Sequence, residues 1–380
     1  MSSSAAAVVS AAPSIIYLEM DVHKESIAIA VLPADAKGPT QVDRLPNDLP
    51  KLKRYLERIQ ARGEIRACYE ASGAGYVLHR AMREWGVACD VIAPSLIPKR
   101  PGVQRKHDKY DAAELARLYR AGELTPVRIP SEAEERVRDV VRCRETFQRE
   151  ILKSRHYILK FLARRGFVFR AGTNWCGPHL KWLQHLTTEH SPLEPADRLV
   201  FREYHALLLY KLQRRDELDR EIVRLAELPT LKPIVQRLQC FRGLSLHSAM
   251  VLATEISDWR RFERPGQLAS YVGLVMREHS SGGTERRGSI TKAGNSHCRH
   301  VLVQAAWSYR HRPAVSVDLK RRQAGQPPAV VTHAWKAQHR LHQRFNHLVY
   351  RKSPQIAAVA VARELVGFLW SVLQEVPVTT

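Results

Sequence analysis

Apolar residues alternate with period two in SIIYLEMD (14–21) and SIAIAVL (26–32), the spacing of strands with one face in a core. The polar turn at 22–25 joins them as a hairpin, and residues 40–45 fit a third short strand. LPKLKRYLERIQ (49–60) has helical spacing, with Gly63 after it as a stop signal. Residues 65–70 read as a strand, 74–86 as a helix ending at Gly86, 88–94 as a strand, and 109–121 as a helix ending at Gly122. Beyond this point the pattern becomes helical and highly charged. Residues 132–165 place Val137, Val141, Phe147, Ile151, Ile158 and Leu162 at roughly helical intervals, and 195–228 repeat the style. Residues 166–192, with Gly, Pro and Trp, read as a connection. From residue 231 two short helices with a hairpin between them are expected over 235–256. A Gly-, Ser- and Arg-rich loop follows at 277–294, then helices to the end. The most apolar of these, 356–373, is broken by Arg363 and Glu364 and reads as a core helix rather than a membrane span.

The predicted order of the first part is strands in a hairpin, helix, strand, helix, strand, helix. It matches a ribonuclease-H-like fold. The fold class is therefore α/β plus α: a flexible tail (1–13), an N-terminal ribonuclease-H-like domain (14–128), a charged helical or coiled-coil middle (129–230), and a mostly helical C-terminal domain (231–380). A chain of 380 residues is too long for one compact core.

Charge narrows the function. Sixty Lys and Arg against 38 Asp and Glu leave a formal charge of +22. A chain this positive repels itself unless a polyanion is its partner, and nucleic acid is the leading candidate. No run of about 18 apolar residues points to a membrane partner. The tail MSSSAAAVVSAAP lacks the basic start of a signal peptide. The six cysteines form no C-x-x-C pair, so neither a zinc site nor a disulfide framework is indicated, and a reducing cytoplasm is expected.

Against this positive background, KHDKYDAAEL (106–115) sets Asp108 and Asp111 three residues apart on a helix. Like charges at that spacing repel by a few tenths of a kcal/mol. In a ribonuclease-H-like fold the first strand and the strand after the first helix lie side by side. Asp21 and Glu70 close those two strands, and the last helix packs across that edge. Four carboxylates would converge there, which requires cations. Hard oxygen ligands suit Mg²⁺ or Mn²⁺, and such ions stabilise the attacking and leaving oxygens of a phosphodiester. Taken singly, each acid has a plainer reading: Asp21 as a turn cap, Glu70 as an arginine partner, Asp108 as a helix N-cap.

The stretches EMDVHKES, YEASGAGY and KHDKYDAAELARLYRAGEL resemble the N-terminal motifs of DEDD transposases of bacterial insertion sequences, the IS110 group. FRGLSLHSAMVLATEISDWRRFERPGQLASYVGL and REHSSGGTERRGSITKAGNSHCRHVLVQAAW resemble that group's second domain, and AVARELVGFLW its IS1111 branch. The likeness runs over most of residues 15–372. Two details differ from the group's usual pattern: Ser245 stands where a second turn glycine is common, and Lys109-Tyr110 separates the paired aspartates. The resemblance implies a RuvC-like domain holding Mg²⁺ through Asp21, Glu70, Asp108 and Asp111. It also implies a serine nucleophile in the SSGG stretch, forming a covalent protein–DNA link. A structured non-coding bridge RNA would pair with donor and target DNA. A bacterial cytoplasmic setting at the nucleoid follows, and a homodimer or homotetramer is expected because several strands must be cut.

The group's pattern places its serine directly before the glycine, which selects Ser281, with Ser280 as the alternative. Arg277, Arg286, Arg287 and Lys292 surround the stretch. A serine hydroxyl needs activation, and those cations could stabilise the transition state. Without the resemblance, a basic Ser-Gly loop reads more simply as a phosphate-binding or flexible loop. Residues 242–256 resemble a helix-hairpin-helix, whose turn at Gly243 could hold a phosphate through backbone N–H groups. An ordinary helical hairpin fits equally. His279, His297 and His300 read as contacts or surface. The middle-helix basic residues, from Arg136 and Arg138 to Arg165, could line a nucleic-acid groove. Two other functions compete: a RuvC-like metal-dependent junction nuclease with no covalent intermediate, and a non-catalytic nucleic-acid-binding relic.

Overall fold

The computed structural model describes residues 14–98, 108–281 and 284–376; the side chains of 108–111 and 278–287 lie outside that description. The chain divides into two compact units, Met1–Ile129 and Pro130–Thr380.

The first unit is built on β1 (Ile15–Val22), β2 (Ser26–Pro33), β3 (Gln41–Pro46), α1 (Leu49–Gln60), β4 (Glu64–Glu70), α2 (Val77–Glu84), β5 (Ala88–Ile92) and α3 (Asp108–Arg120). The strands form one mixed sheet in the order β3-β2-β1-β4-β5. β1 runs antiparallel to β2 and parallel to β4, and β4 runs parallel to β5. The arrangement is consistent with the ribonuclease-H-like expectation for residues 14–128. Alternation along the strands explains the layering. Ile16, Leu18 and Met20 of β1 face one way, with Ile27 and Ile29 of β2 and Ala67 and Tyr69 of β4, and bury against Leu52 and Leu56 of α1 and Met82 of α2. Burying each large aliphatic side chain contributes about 2 kcal/mol. The opposite face carries Ala30 and Leu32, which pack on Ala112 and Ala116 of α3, and Cys68 and Ile92, which pack near Leu115 and Leu118. The small alanines let α3 lie close to the sheet. Asp48 caps α1 by accepting from the Lys51 N–H at 2.8 Å.

In the second unit, α4 (Glu132–Ala163) and α6 (Pro195–Leu225) form a long antiparallel pair. Its registration is fixed by Arg144 on Asp219 and Arg165 on Asp197. A capping box between Ser131 and Glu134 starts α4. The expected connection at 166–192 contains a helix, α5 (Gly177–His185), whose Leu183 packs with Ile158, Phe161 and Phe201 in a small core of its own.

The remaining elements are α7 (Lys232–Gln239), α8 (Leu246–Ile256), α9 (Pro265–Tyr271), β6 (Met276–Ser281), β7 (Thr284–Ile290), α10 (Ser296–Ala306), α11 (Val317–Gln323), α12 (Pro328–Val349) and α13 (Pro354–Leu373). α7, α8, α9, α10, α12 and α13 share a larger core that also takes in Val141 of α4 and Ile222 of α6. The near ends of the charged helices therefore belong to the C-terminal core. α13 alone among the described helices is long and apolar enough to cross a membrane. Its Ala358, Val361, Leu365 and Leu369 are buried against the other helices of that core, as expected of a core helix.

Five histidines, His79, His179, His205, His247 and His333, have pKa values lowered by burial, that of His247 to about 4. A neutral folded form means that only the unfolded chain gains protons near pH 6.5. The stability they allow is complete above that pH and declines as pH falls, by at most about 1.4 kcal/mol per unit per group. Thermal melts should therefore fall steadily between pH 7 and pH 5. His247→Leu should shallow that slope; a flat profile for the unchanged protein would contradict this account.

Candidate active site: sheet-edge carboxylates and a serine-bearing strand pair

The parallel register of β1 and β4 pairs Met20 with Tyr69, so Asp21 and Glu70 come next on adjacent strands, at the same end of the sheet. Tyr17, Glu19 and Asp21 alternate away from the Leu18 face, and Cys68 and Glu70 away from the Tyr69 face. Both acids thus belong to the side that α3 covers. Asp21 is partly exposed, and its Oδ2 lies 3.0 Å from His23 Nε2. Glu70 is exposed.

α3 begins at Asp108. Its last turn lies over the opposite end of the strands: Tyr119 stands edge-on to Tyr17 at 5.9 Å, and Arg120 donates to the carbonyls of Ala34 and Ala36. Its first turn is therefore directed toward the end carrying Asp21 and Glu70. Ala112 and Ala116, one turn apart, are buried on the face of α3 turned to the sheet. The structure brings Asp21 and Glu70 to neighbouring positions; the side chains of Asp108 and Asp111 lie outside the described residues. Among the described residues there is no cluster of three or more His, Cys, Asp or Glu arranged to hold a metal. The sequence reading passed over two neighbours. Glu19 is a carboxylate only 2 % exposed, opposite Cys68; its one signal is an acid inside an apolar strand. His23 is the partner of Asp21. Burial and the Glu19 charge push the Cys68 thiol up, so it is inert as a nucleophile.

The region expected as a loop at 277–294 is instead a strand pair. β6 and β7 are antiparallel, with Ser281 opposite Thr284, Ser280 opposite Glu285, His279 opposite Arg286 and Glu278 opposite Arg287. Two glycines between paired residues 281 and 284 are a hairpin signature that outweighs the polar composition. Positions 279, 281, 284 and 286 share one face of the pair, and 278, 280, 285 and 287 the other. The side chains of Ser280, Ser281, Arg286 and Arg287 lie outside the description. Arg277 donates to the Thr291 carbonyl at 3.4 Å, and Lys292 is exposed with a left-handed φ of 55°.

The foot of the pair is tightly held. The Thr291 N–H donates to Val275 O and the Asn295 N–H to Tyr271 O. Gly273 and Gly294 have φ of 68° and 74°, and a Cβ on either would strike the opposing backbone carbonyl, Ala293 O or Tyr271 O. Asn295 caps α10 through the Cys298 N–H and donates to Glu255 Oε2 at 2.6 Å. Arg142 of α4 grips the same carboxylate through two bonds of 2.6 and 2.9 Å. Burial alone would raise the Glu255 pKa; the Arg142 bonds and charge and the Asn295 bond outweigh it and hold the carboxyl below its usual range.

One expectation changes. Several middle-helix arginines are internal brackets rather than a free groove: Arg138 bonds Thr254 O, Arg142 bonds Glu255, and Arg144 bonds Asp219. His297, expected as a contact or surface residue, is partly exposed and pairs with Glu145 of α4. Gly243 has a packing reason of its own. Its φ is 85°, and a Cβ there would lie 2.6 Å from Ala305 O.

Comparison with known proteins identifies the group. Residues 19–165 match a DEDD transposase family model described as that of IS110, and residues 235–318 match that of the IS116/IS110/IS902 transposase family. A Sinorhizobium fredii protein, y4qE, whose name places it among transposases, is 36 % identical over 96 % of this chain and 90 % of its own length. The chain belongs to the IS110 family of insertion-sequence transposases. The transposase of insertion sequence element IS1533 from Leptospira borgpetersenii is 31 % identical over 88 % of this chain and 96 % of its own. That of IS1111A from Coxiella burnetii is 22 % identical over 80 % and 76 %. The first family match begins at Glu19, inside β1, and the second spans the serine-bearing pair. As an IS110-family transposase, the protein is a DNA-cutting and rejoining enzyme. The DEDD transposase family generally uses divalent metal ions.

Proposed function

We propose that this transposase cuts and rejoins DNA with a DEDD site of Asp21, Glu70, Asp108 and Asp111 and with Ser281 as nucleophile. The observation carrying the reading is the β1–β4 register, which sets Asp21 beside Glu70 at the end where α3 begins. The donor set fits a divalent ion: hard carboxylate oxygens on a partly open edge, one of them oriented by His23. Mg²⁺ or Mn²⁺ held there would supply charge stabilisation at a phosphodiester. Ser281 is favoured over Ser280 because the family pattern places its serine directly before the glycine. The serine oxygen bonds to phosphorus and gives up its proton. The departing sugar oxygen breaks from phosphorus and takes one. Arg277, Arg286, Arg287 and Lys292, with the Gly243 turn, contact the phosphate backbone. A structured RNA of the element supplies sequence choice by base pairing with donor and target DNA, in keeping with the +22 charge. The protein works as a homodimer or homotetramer.

The test is a denaturation-resistant adduct. Protein, element-end DNA, Mg²⁺ and flanking RNA should yield a covalent protein–DNA species that is absent in Ser281→Ala and retained in Ser280→Ala. Unchanged strand cutting without any adduct would transfer the chemistry to water, as in a junction nuclease.

A further inference from the structure

The far end of the α4–α6 pair has an unusual composition. Residues 151–188 hold seven lysines and arginines, six aromatic residues and no aspartate or glutamate. The whole chain has 38 acids in 380 residues, so a stretch of this length would ordinarily carry several. The nearest carboxylates in the chain are Glu150, which pairs with Lys153, and Glu189. Lys153, Tyr157 and Lys160 on one face of α4, and Arg164 at its C-cap, recur at helical spacing. All four are exposed, and the Tyr157 side chain is open to solvent at 57 %. Its ring is set against Tyr204 of α6 at 6.3 Å. Arg170 and Lys181, on the segments that fold over this end, are exposed as well.

The segment carrying them is braced from inside. His179 is fully buried, and burial lowers its pKa, so its neutral Nδ1 can accept the Trp175 N–H at 2.9 Å. Trp175 is held at a left-handed φ of 69°, and the Arg155 guanidinium lies 4.9 Å over its ring. The cations are thus displayed on a fixed cap rather than on a floppy loop.

We propose that this basic, aromatic cap, centred on Tyr157, Lys160 and Arg164, binds an unpaired DNA strand. Lysine and arginine take the phosphates, and the open tyrosine ring offers a base a face to stack on. Duplex phosphates alone would not need the ring. An enzyme that cuts and rejoins DNA exposes unpaired strands as its substrate. The site lies beyond the cutting chemistry proposed above, and its binding is measured without metal or cleavage.

The experiment uses the full chain in chelator, with a labelled 15-nucleotide single strand followed by fluorescence anisotropy. Lys160→Ser/Arg164→Ser/Lys181→Ser should weaken binding about tenfold or more and reduce the salt slope by about 2. Lys51→Ser/Lys53→Ser/Arg54→Ser on exposed positions of α1 loses the same charge and should weaken it no more than about threefold by the same electrostatics. Tyr157→Ala should weaken the single strand about fivefold or more and leave a duplex of equal length unaffected. The proposal fails if the cap triple matches the α1 triple, or if Tyr157→Ala costs the duplex equally. It fails too if only an RNA strand of the same sequence responds. Unchanged DNA affinity with an altered sedimenting mass would make the cap a contact between copies instead.

Discussion

Asp21→Asn is expected to lower strand cutting by about 10³-fold, the loss of several kcal/mol of transition-state stabilisation. The amide keeps the size of the side chain and the β1 register with β2 and β4. It removes one charge and one hard oxygen donor from the edge where Glu70 stands. Asp21 is partly exposed and outside the apolar core of the sheet, so the melting temperature should stay within about 2 °C, as for surface substitutions generally. His23→Ala should lose about 10- to 100-fold, the usual effect of removing a group that orients a ligand. Strand cutting by Asp21→Asn within threefold of the unchanged enzyme, at the same Mg²⁺ concentration, would remove Asp21 from the site.

The strands around Asp21 were legible because one face of each is apolar and the other is not. The ends of β1 and β4 could therefore be read together with the acids on them. α1 and α3 were legible for the same reason at helical spacing. The strand pair at 276–290 was not, since REHSSGGTERRGSI has no apolar alternation and only two β-branched residues, Thr284 and Ile290. What holds it is remote: Gly273 against Ala293, Gly294 against Tyr271, and Asn295 on Glu255. α5 was hidden by Gly177 and Pro178, which read as breakers but occupy its first turn. The middle arginines looked free because their partners, Glu255 and Asp219, are 113 and 75 residues away in the chain. Glu19 gave a visible anomaly that alternation alone could not interpret.

The buried Glu255 carboxylate carries the second large effect. Its side chain is 2 % exposed, and it joins α8 to Arg142 of α4 and to Asn295 at the start of α10. Glu255→Ala removes the carboxylate that both the Arg142 guanidinium and the Asn295 amide bond. Breaking a fully buried pair costs about 3–5 kcal/mol. The Arg142 side chain is 43 % exposed and can regain water, which brings the expectation to about 3 kcal/mol. For a unit of this size that corresponds to a fall of about 6–12 °C in melting temperature. Arg136→Ala, which breaks a pair whose side chains are 76 % and 59 % exposed, should cost less than about 0.5 kcal/mol. The sign with pH is fixed by the lowered Glu255 pKa. The stabilisation is complete above the unfolded value near about 4.3 and is lost as pH falls through the folded value; Glu255→Gln should lack that component. A double-mutant cycle with Arg142→Ala should give a coupling above about 1 kcal/mol. Strict additivity would mean that the two groups merely sit side by side. Because Asn295 ties this carboxylate to the foot of the serine-bearing pair, the amides of Thr291 and Asn295 should exchange hydrogen faster in Glu255→Ala. Unchanged exchange there, despite the lower melting temperature, would confine the brace to the helices and leave the strand pair to its glycines.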